Sequence, residues 1–371
     1  MNRAWLFSKN IDLIALFLPV WLTWLACFLV SDDLLNAEVP VWFWVVFIIG
    51  IDVSHVWSTL FRTYFDPQEF RLHRRLLILT PLVCMAIAAI VATNSVSLFW
   101  TLMAYLALYH FIKQQYGFMQ LYRARLGFFK LHKVISDKFV IYWSMLYPVL
   151  YWHLNTKRNF EWFVEGDFYN LRMLLNHVPF WDEQFHLIFT NACNVIYFAI
   201  LIFWCIEDYL VHKRRATSFP IGKWLWVWTT AGNWYIGIVY FNSDFAFSLT
   251  NVVAHGIPYL VLIFFYIEKK KQLNSVPLTT IKVTGHIVWM SLIVLILAFG
   301  EEYIWDMLIY RDNMHFFESI LRYPMNALDD PVFIGFALAF LSVPQVTHYV
   351  LDGFIWKANA RNPYVRKTLL H

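Results

Sequence analysis

The stretch from Val41 to Arg62 reads VWFWVVFIIGIDVSHVWSTLFR. Asp52 and His55 are its only ionisable side chains before the closing arginine. A helix crossing the hydrocarbon core of a bilayer needs about 20 mostly apolar residues, so this segment reads as a membrane span. An ionisable group inside such a span is costly and asks for a partner or a job. The fold reading and the functional reading both start from that pairing of an apolar helix with a histidine.

Nine further windows have the same character. The full set is 11–30, 41–62, 75–93, 96–121, 136–155, 184–206, 224–243, 246–267, 281–300 and 331–352. The chain is 60% hydrophobic, 20% aromatic and 15% charged, with a mean hydropathy of +0.52. A soluble domain carries about a quarter charged residues, so an all-α, polytopic helical bundle of about ten membrane spans is expected.

Charge placement orients it. Lys and Arg gather before the first span (Arg3, Lys9) and in every second loop: Arg62, Arg71, Arg74 and Arg75; Arg123, Arg125, Lys130, Lys133 and Lys138; Lys213, Arg214, Arg215 and Lys223; Lys269 to Lys271. The tail adds Lys357, Arg361, Arg366 and Lys367. The intervening loops are short or acidic, as at Glu301, Glu302, Asp306, Asp329 and Asp330. Lys/Arg bias toward one side marks the cytoplasmic face. An even number of spans with both termini cytoplasmic follows, as in a multi-pass protein of a bacterial inner membrane. The net charge of +4 is then a product of topology, and no nucleic-acid partner is implied.

The first apolar segment is too long for a cleaved signal, and no small-residue cleavage site follows it. Cys27, Cys84, Cys193 and Cys205 all fall within spans without C-x-x-C spacing, and read as small core residues. No internal repeat or low-complexity linker appears, so residues 1–371 read as one transmembrane domain. Two longer non-cytoplasmic loops, about 156–183 and 301–330, mix aromatic and acidic residues as surface-lying amphipathic segments do.

His55, His110, His255 and His348 lie inside spans that run in the same direction, all in the cytoplasm-facing half. At 1.5 Å of rise per residue their depths differ by roughly 9 Å. Tilt or a helix break would close that gap, and Pro258 and Pro344 offer breaks. Each has a polar residue one turn away: Asp52 for His55, Gln114 for His110, Asn251 for His255, and Gln345 and Asp352 for His348. Ligating imidazoles usually give their second ring nitrogen to such a group. Imidazole-rich coordination suits iron, copper or zinc. Non-haem iron is the first expectation, copper the second, with Asp52, Gln114 and Asp352 orienting the ligands or serving the chemistry. The competing reading is that the histidines only hydrogen-bond between helices.

The other histidines read differently. His286 is a weaker candidate for a fifth ligand. His153, His177, His186 and His315 fall on the opposite side, and His132, His212 and His371 belong to basic cytoplasmic segments. Lys113, beside Gln114 and Gln115, reads as a snorkelling lysine, and Asp66, near His73, as a helix cap. Asn191 and Asn194 read as interhelical hydrogen-bonders. Clustered H-x-x-x-H and H-x-x-H-H boxes, H-E-x-x-H, phosphate-cradling glycine loops and the G-x-S-x-G elbow do not occur. Hydrolases, kinases and nucleotide-driven pumps therefore find no support.

One histidine on each of several spanning helices resembles the Brp/Blh family of β-carotene 15,15′-dioxygenases. His255-Gly256-Ile257-Pro258 is a distant echo of that family's Pro-His-Gly surroundings. The resemblance is architectural. It implies an iron centre held by His55, His110, His255 and His348, dioxygen as co-substrate, and cleavage of a polyene. The expected function is a dioxygen-dependent oxidoreductase acting on a hydrophobic lipid or polyene substrate, with an electron donor left open. A haem-binding electron-transfer protein and a proton or metal-ion transporter are the alternatives, and a structural assembly factor would leave the layered histidines unexplained.

Overall fold

The computed structural model describes residues 4–36, 40–127, 133–155, 162–164, 166–214, 219–273, 280–321 and 329–370; for Asn36 and residues 280–284 only the backbone is described. Among the described residues it is all-helical, with 83% helix and no strand. The long helices are α1 (Lys9–Leu29), α2 (Val41–Arg62), α3 (Pro67–Asn94), α4 (Val96–Arg125), α5 (Asp137–Leu154) and α6 (Glu183–Arg214). They continue with α7 (Ile221–Trp234, extended by Tyr235–Tyr240), α8 (Asp244–Leu273) and α9 (Thr280–Trp305, extended by Asp306–Tyr310). The last are α10 (Pro331–Leu341), α11 (Val343–Ile355) and α12 (Pro363–Leu369).

Among the described residues seven helices are long and apolar enough to cross a membrane, and an eighth if the bent pair α10–α11 counts as one span. Helices α5 and α7 occupy the two remaining expected windows but fall outside that set.

Local chemistry sets several boundaries. Asp66 caps α3 by accepting from the backbone N–H groups of Gln68 (2.9 Å) and Glu69 (3.1 Å), with Pro67 at the first helical position. Ser136 caps α5 and Asp330, followed by Pro331, caps α10. The break between α10 and α11 is 41°, next to Pro344. One expected boundary moves. The helix read as ending at residue 300 runs on to Tyr310, because its acids are housed rather than solvated. Glu301 accepts the indole N–H of Trp57 (2.6 Å), and Asp306 accepts the backbone N–H of Asn313 (2.8 Å).

The chain divides into two compact units, one of residues 1–38 and 108–255, the other of 39–107 and 256–369. Two of the divisions, at 107/108 and 255/256, fall inside continuous helices, α4 and α8.

In the first unit Tyr197 on α6 donates to the carbonyls of Ser144 on α5 (3.0 Å) and Ala231 on α7 (3.1 Å), tying three helices through one hydroxyl. Asn194 accepts from Tyr147 (2.6 Å) and Tyr235 (3.2 Å), the interhelical role expected of it. Lys133 and Lys223 face Asp137 and Asp208 in a buried four-charge cluster. Opposed charges removed from water are tolerable in such a paired arrangement and costly if one is deleted.

In the second unit Arg62 is fully buried. It pairs with Glu69 (2.5 Å), donates to the Ile355 carbonyl (3.0 Å) and lies 4.2 Å from the ring centroid of Tyr266. Two glycines permit close helix contact. A Cβ on Gly335 would sit 2.8 Å from Thr93 backbone atoms, and one on Gly256 would sit 2.5 Å from Ile51 Cγ2 and 3.2 Å from its carbonyl oxygen. The second contact brings α8 against α2 one turn from His55. The four cysteines are free, three of them buried.

Candidate metal centre

Each histidine is placed by a different local device. His55 follows a ten-residue stretch of wide, i→i+5 turns, Trp44–Val53, inside α2. Such turns are rare and concentrate at functional sites. His348 follows the α10–α11 break by one turn. His110 lies mid-way along α4, and His255 precedes the close-packed Gly256 on α8. All four side chains are buried, between 1% and 3% exposed.

In the second unit His55 and His348 have ring centroids 5.0 Å apart in an edge-on arrangement. Asp52 Oδ1 is 3.5 Å from His55 Nδ1. Thr59 Oγ1 is 2.8 Å from His348 Nδ1 and 3.0 Å from the Tyr259 hydroxyl, which donates to Asp352 Oδ1 at 2.7 Å. Asp352 is itself 3.9 Å from His348 Nδ1 and also accepts the Trp356 indole N–H (3.3 Å).

In the first unit His110 and His255 have ring centroids 4.9 Å apart, again edge-on. The Phe111 ring stacks on His255 at 3.9 Å and 18°, holding its plane. Gln114 Nε2 donates to the His255 carbonyl (2.7 Å) and Gln115 Nε2 to the Ala254 carbonyl (3.3 Å).

The four histidines form one group that could hold a metal ion. One ring nitrogen from each lies within 4.8 Å of the other three. Opposite ligands on an ion bound at about 2.1 Å would be at most about 4.2 Å apart. Side-chain adjustments of a few tenths of an ångström would close the group on a first-row ion. The donor set is four imidazoles, with the carboxylates Asp52 and Asp352 behind two of them. That composition suits iron, copper or zinc and disfavours the hard, oxygen-seeking cations.

Neither α2 nor the α10–α11 pair is a straight, regular helix. Asp52 and Asp352 sit beside the rings assigned to them. The two amides do not. Gln114, expected to orient His110, bonds the His255 backbone instead, and its Oε1 has no hydrogen-bond partner among the described residues. Asn251, expected behind the His255 ring, accepts from Asn233 (3.2 Å) and donates to the Phe247 carbonyl. Both side chains satisfy backbone or amide groups instead. Thr59, Tyr259 and Phe111 were not singled out from sequence. A hydroxyl or phenyl in an apolar helix is commonplace, and Thr59 meets His348 across 289 residues of chain.

The remaining histidines stand apart from the group. His286 bonds Glu268 (2.9 Å) and lies outside the group of four. His153 bonds the Val149 carbonyl, His212 lies 3.8 Å from Asp208 and His73 3.8 Å from Glu69. His132 and His371 lie outside the described residues. Lys113 points its ammonium at Tyr142 (3.3 Å) and the Tyr116 ring. No protein-family model, no curated protein and no solved structure matches this chain.

Proposed function

We propose that this chain is an integral membrane metalloprotein with ten spans and cytoplasmic termini, and that His55, His110, His255 and His348 hold a non-haem iron ion. Its function is a dioxygen-dependent oxidoreductase acting on a hydrophobic, lipid or polyene substrate. The observation that carries this reading is the grouping of four buried ring nitrogens within 4.8 Å, on largely apolar helices. Burying polar rings among apolar helices is costly unless they are used, and a shared metal ion is one such use.

Iron bound there would supply a site for activating dioxygen, with positions left open beyond four nitrogens. The protein's own contribution is orientation and dryness. Phe111 fixes the plane of His255, and Asp52 and Asp352 set a carboxyl group behind His55 and His348, as outer partners of metal-ligating imidazoles do. The unused Oε1 of Gln114 is available to accept a hydrogen bond from whatever binds beside His255. The apolar helices favour a substrate that partitions from the bilayer.

A haem centre is the competing reading, in which histidines from different helices would hold the iron. The absorption spectrum of detergent-purified protein separates the readings: iron without a Soret band supports the non-haem oxidoreductase, and a Soret band replaces it with haem. Dioxygen uptake that requires a hydrophobic substrate and is lost in His348→Ala would establish the reaction class.

A further inference from the structure

The polar groups behind His348 form a chain with a definite direction, and that direction determines which ring nitrogen can bind metal. This inference rests on the metal reading above. The chain runs His348 Nδ1, Thr59 Oγ1 (2.8 Å), Tyr259 hydroxyl (3.0 Å), Asp352 Oδ1 (2.7 Å). All of it lies within the second unit.

The proton count starts at the carboxylate. Asp352 Oδ1 is approached by the Trp356 indole N–H at 3.3 Å, and an indole nitrogen can only donate. Oδ1 therefore accepts, and the Tyr259 hydroxyl spends its single proton on it. The Tyr259 oxygen is then left to accept from Thr59. Thr59 also has one proton, given to Tyr259, so its oxygen accepts from His348 Nδ1–H. A neutral imidazole with its proton on Nδ1 presents its lone pair at Nε2.

We infer that Thr59 is a positioning residue that fixes His348 in the Nδ1–H tautomer, so that the ring binds metal through Nε2. Tyr259 polarises Thr59 and acts on the ligand through that hydroxyl. The ring of Tyr259 adds a steric wall, edge-on to His348 at 5.0 Å and to His55 at 5.8 Å. A tyrosine there for packing alone would serve equally well as phenylalanine. A tyrosine there for polarity would not.

The two roles separate experimentally. In Tyr259→Phe the Thr59 hydroxyl loses its acceptor and is free to turn its proton toward His348 Nδ1. That places the imidazole proton on Nε2 and removes the lone pair from the metal side. In Thr59→Val the partner of Nδ1 is lost, while Thr59→Ser keeps it. Copper(II) is a suitable probe because pulsed electron paramagnetic resonance reads the imidazole nitrogen remote from the metal, and that coupling responds to its hydrogen bond. The full-length, detergent-purified protein is loaded with one equivalent of copper(II), and affinity is measured by competition with a chelator.

The expected results are a 10- to 100-fold weaker affinity in Thr59→Val and in Tyr259→Phe, the usual range for lost outer partners. One remote-nitrogen coupling should change, and Thr59→Ser should restore both. The double variant Thr59→Val/Tyr259→Phe should be no weaker than Thr59→Val, since both act through one hydrogen bond. Unchanged affinity and couplings in the two single variants, with copper still bound, would overturn the assignment of Thr59 and leave the metal centre standing. Wild-type protein that binds neither copper nor iron would overturn the metal centre itself, and the tautomer assignment with it.

Discussion

At the scale of the residue, the site is asymmetric. His55 and His348 are backed by carboxylates, while His255 is held by an aromatic ring and its backbone carbonyl is bonded by Gln114. The two kinds of support predict different consequences. Asp52→Asn keeps shape and removes charge, so metal affinity should fall about 10- to 100-fold with the thermal unfolding midpoint of the metal-free protein unchanged. Phe111→Ala removes a buried ring packed on a ligand. It should cost about 3–5 kcal/mol of stability as well as affinity, measurable as a lowered midpoint with and without metal. Equal effects in the two variants would mean that the carboxylates serve only packing.

At the scale of the element, close approach and buried charge locate the histidine-bearing helices. Gly256→Ala would drive a Cβ into Ile51, which sits on the wide-turn stretch that precedes His55. Overpacking of this kind costs about 1–3 kcal/mol. Because α8 would have to move off α2, metal binding should weaken along with stability, whereas Gly285→Ala, with nothing near its Cβ, should change neither. Arg62 makes the complementary case. Truncation to alanine deprives buried Glu69 of its closest cation, leaving Lys270 and the Tyr266 hydroxyl, and should cost about 3–5 kcal/mol, read as a shift in chemical or thermal unfolding of the purified protein. Replacing Arg62 and Glu69 together by apolar residues should cost less than the single truncation.

At the scale of the whole molecule, helical architecture and the grouped histidines were legible in the sequence for physical reasons. Twenty-residue apolar runs admit few structures other than helices, and a histidine within one is conspicuous against that background. The polar groups behind the ligands were legible only in part. Spacing on a regular helix placed Asp52 and Asp352 beside their rings, but it misassigned Gln114 and Asn251, which turn to backbone and amide partners on other helices. Thr59 and Tyr259 act across helices, and nothing in the local sequence marks them. Apolarity also concealed the wide turns of α2 and the extension of α9 to Tyr310, since neither alters the hydropathy of its segment. The number of spans is the open element of the topology. Helix α5 decides whether residue 169 faces outward. With ten spans, a cysteine at Tyr169 in a chain otherwise free of cysteine is labelled in intact cells by a membrane-impermeant thiol reagent. Labelling only after permeabilisation would remove α5 from the spans.

The most direct test of the central claim is the metal content of detergent-purified protein, prepared without chelators, for the wild type and for the alanine variants of His55, His110, His255 and His348. The account predicts one equivalent of iron in the wild type, no Soret band, and loss of the metal in each of the four variants while the helical signal persists. Absence of metal from the wild type, or a full equivalent retained in all four variants, would contradict it.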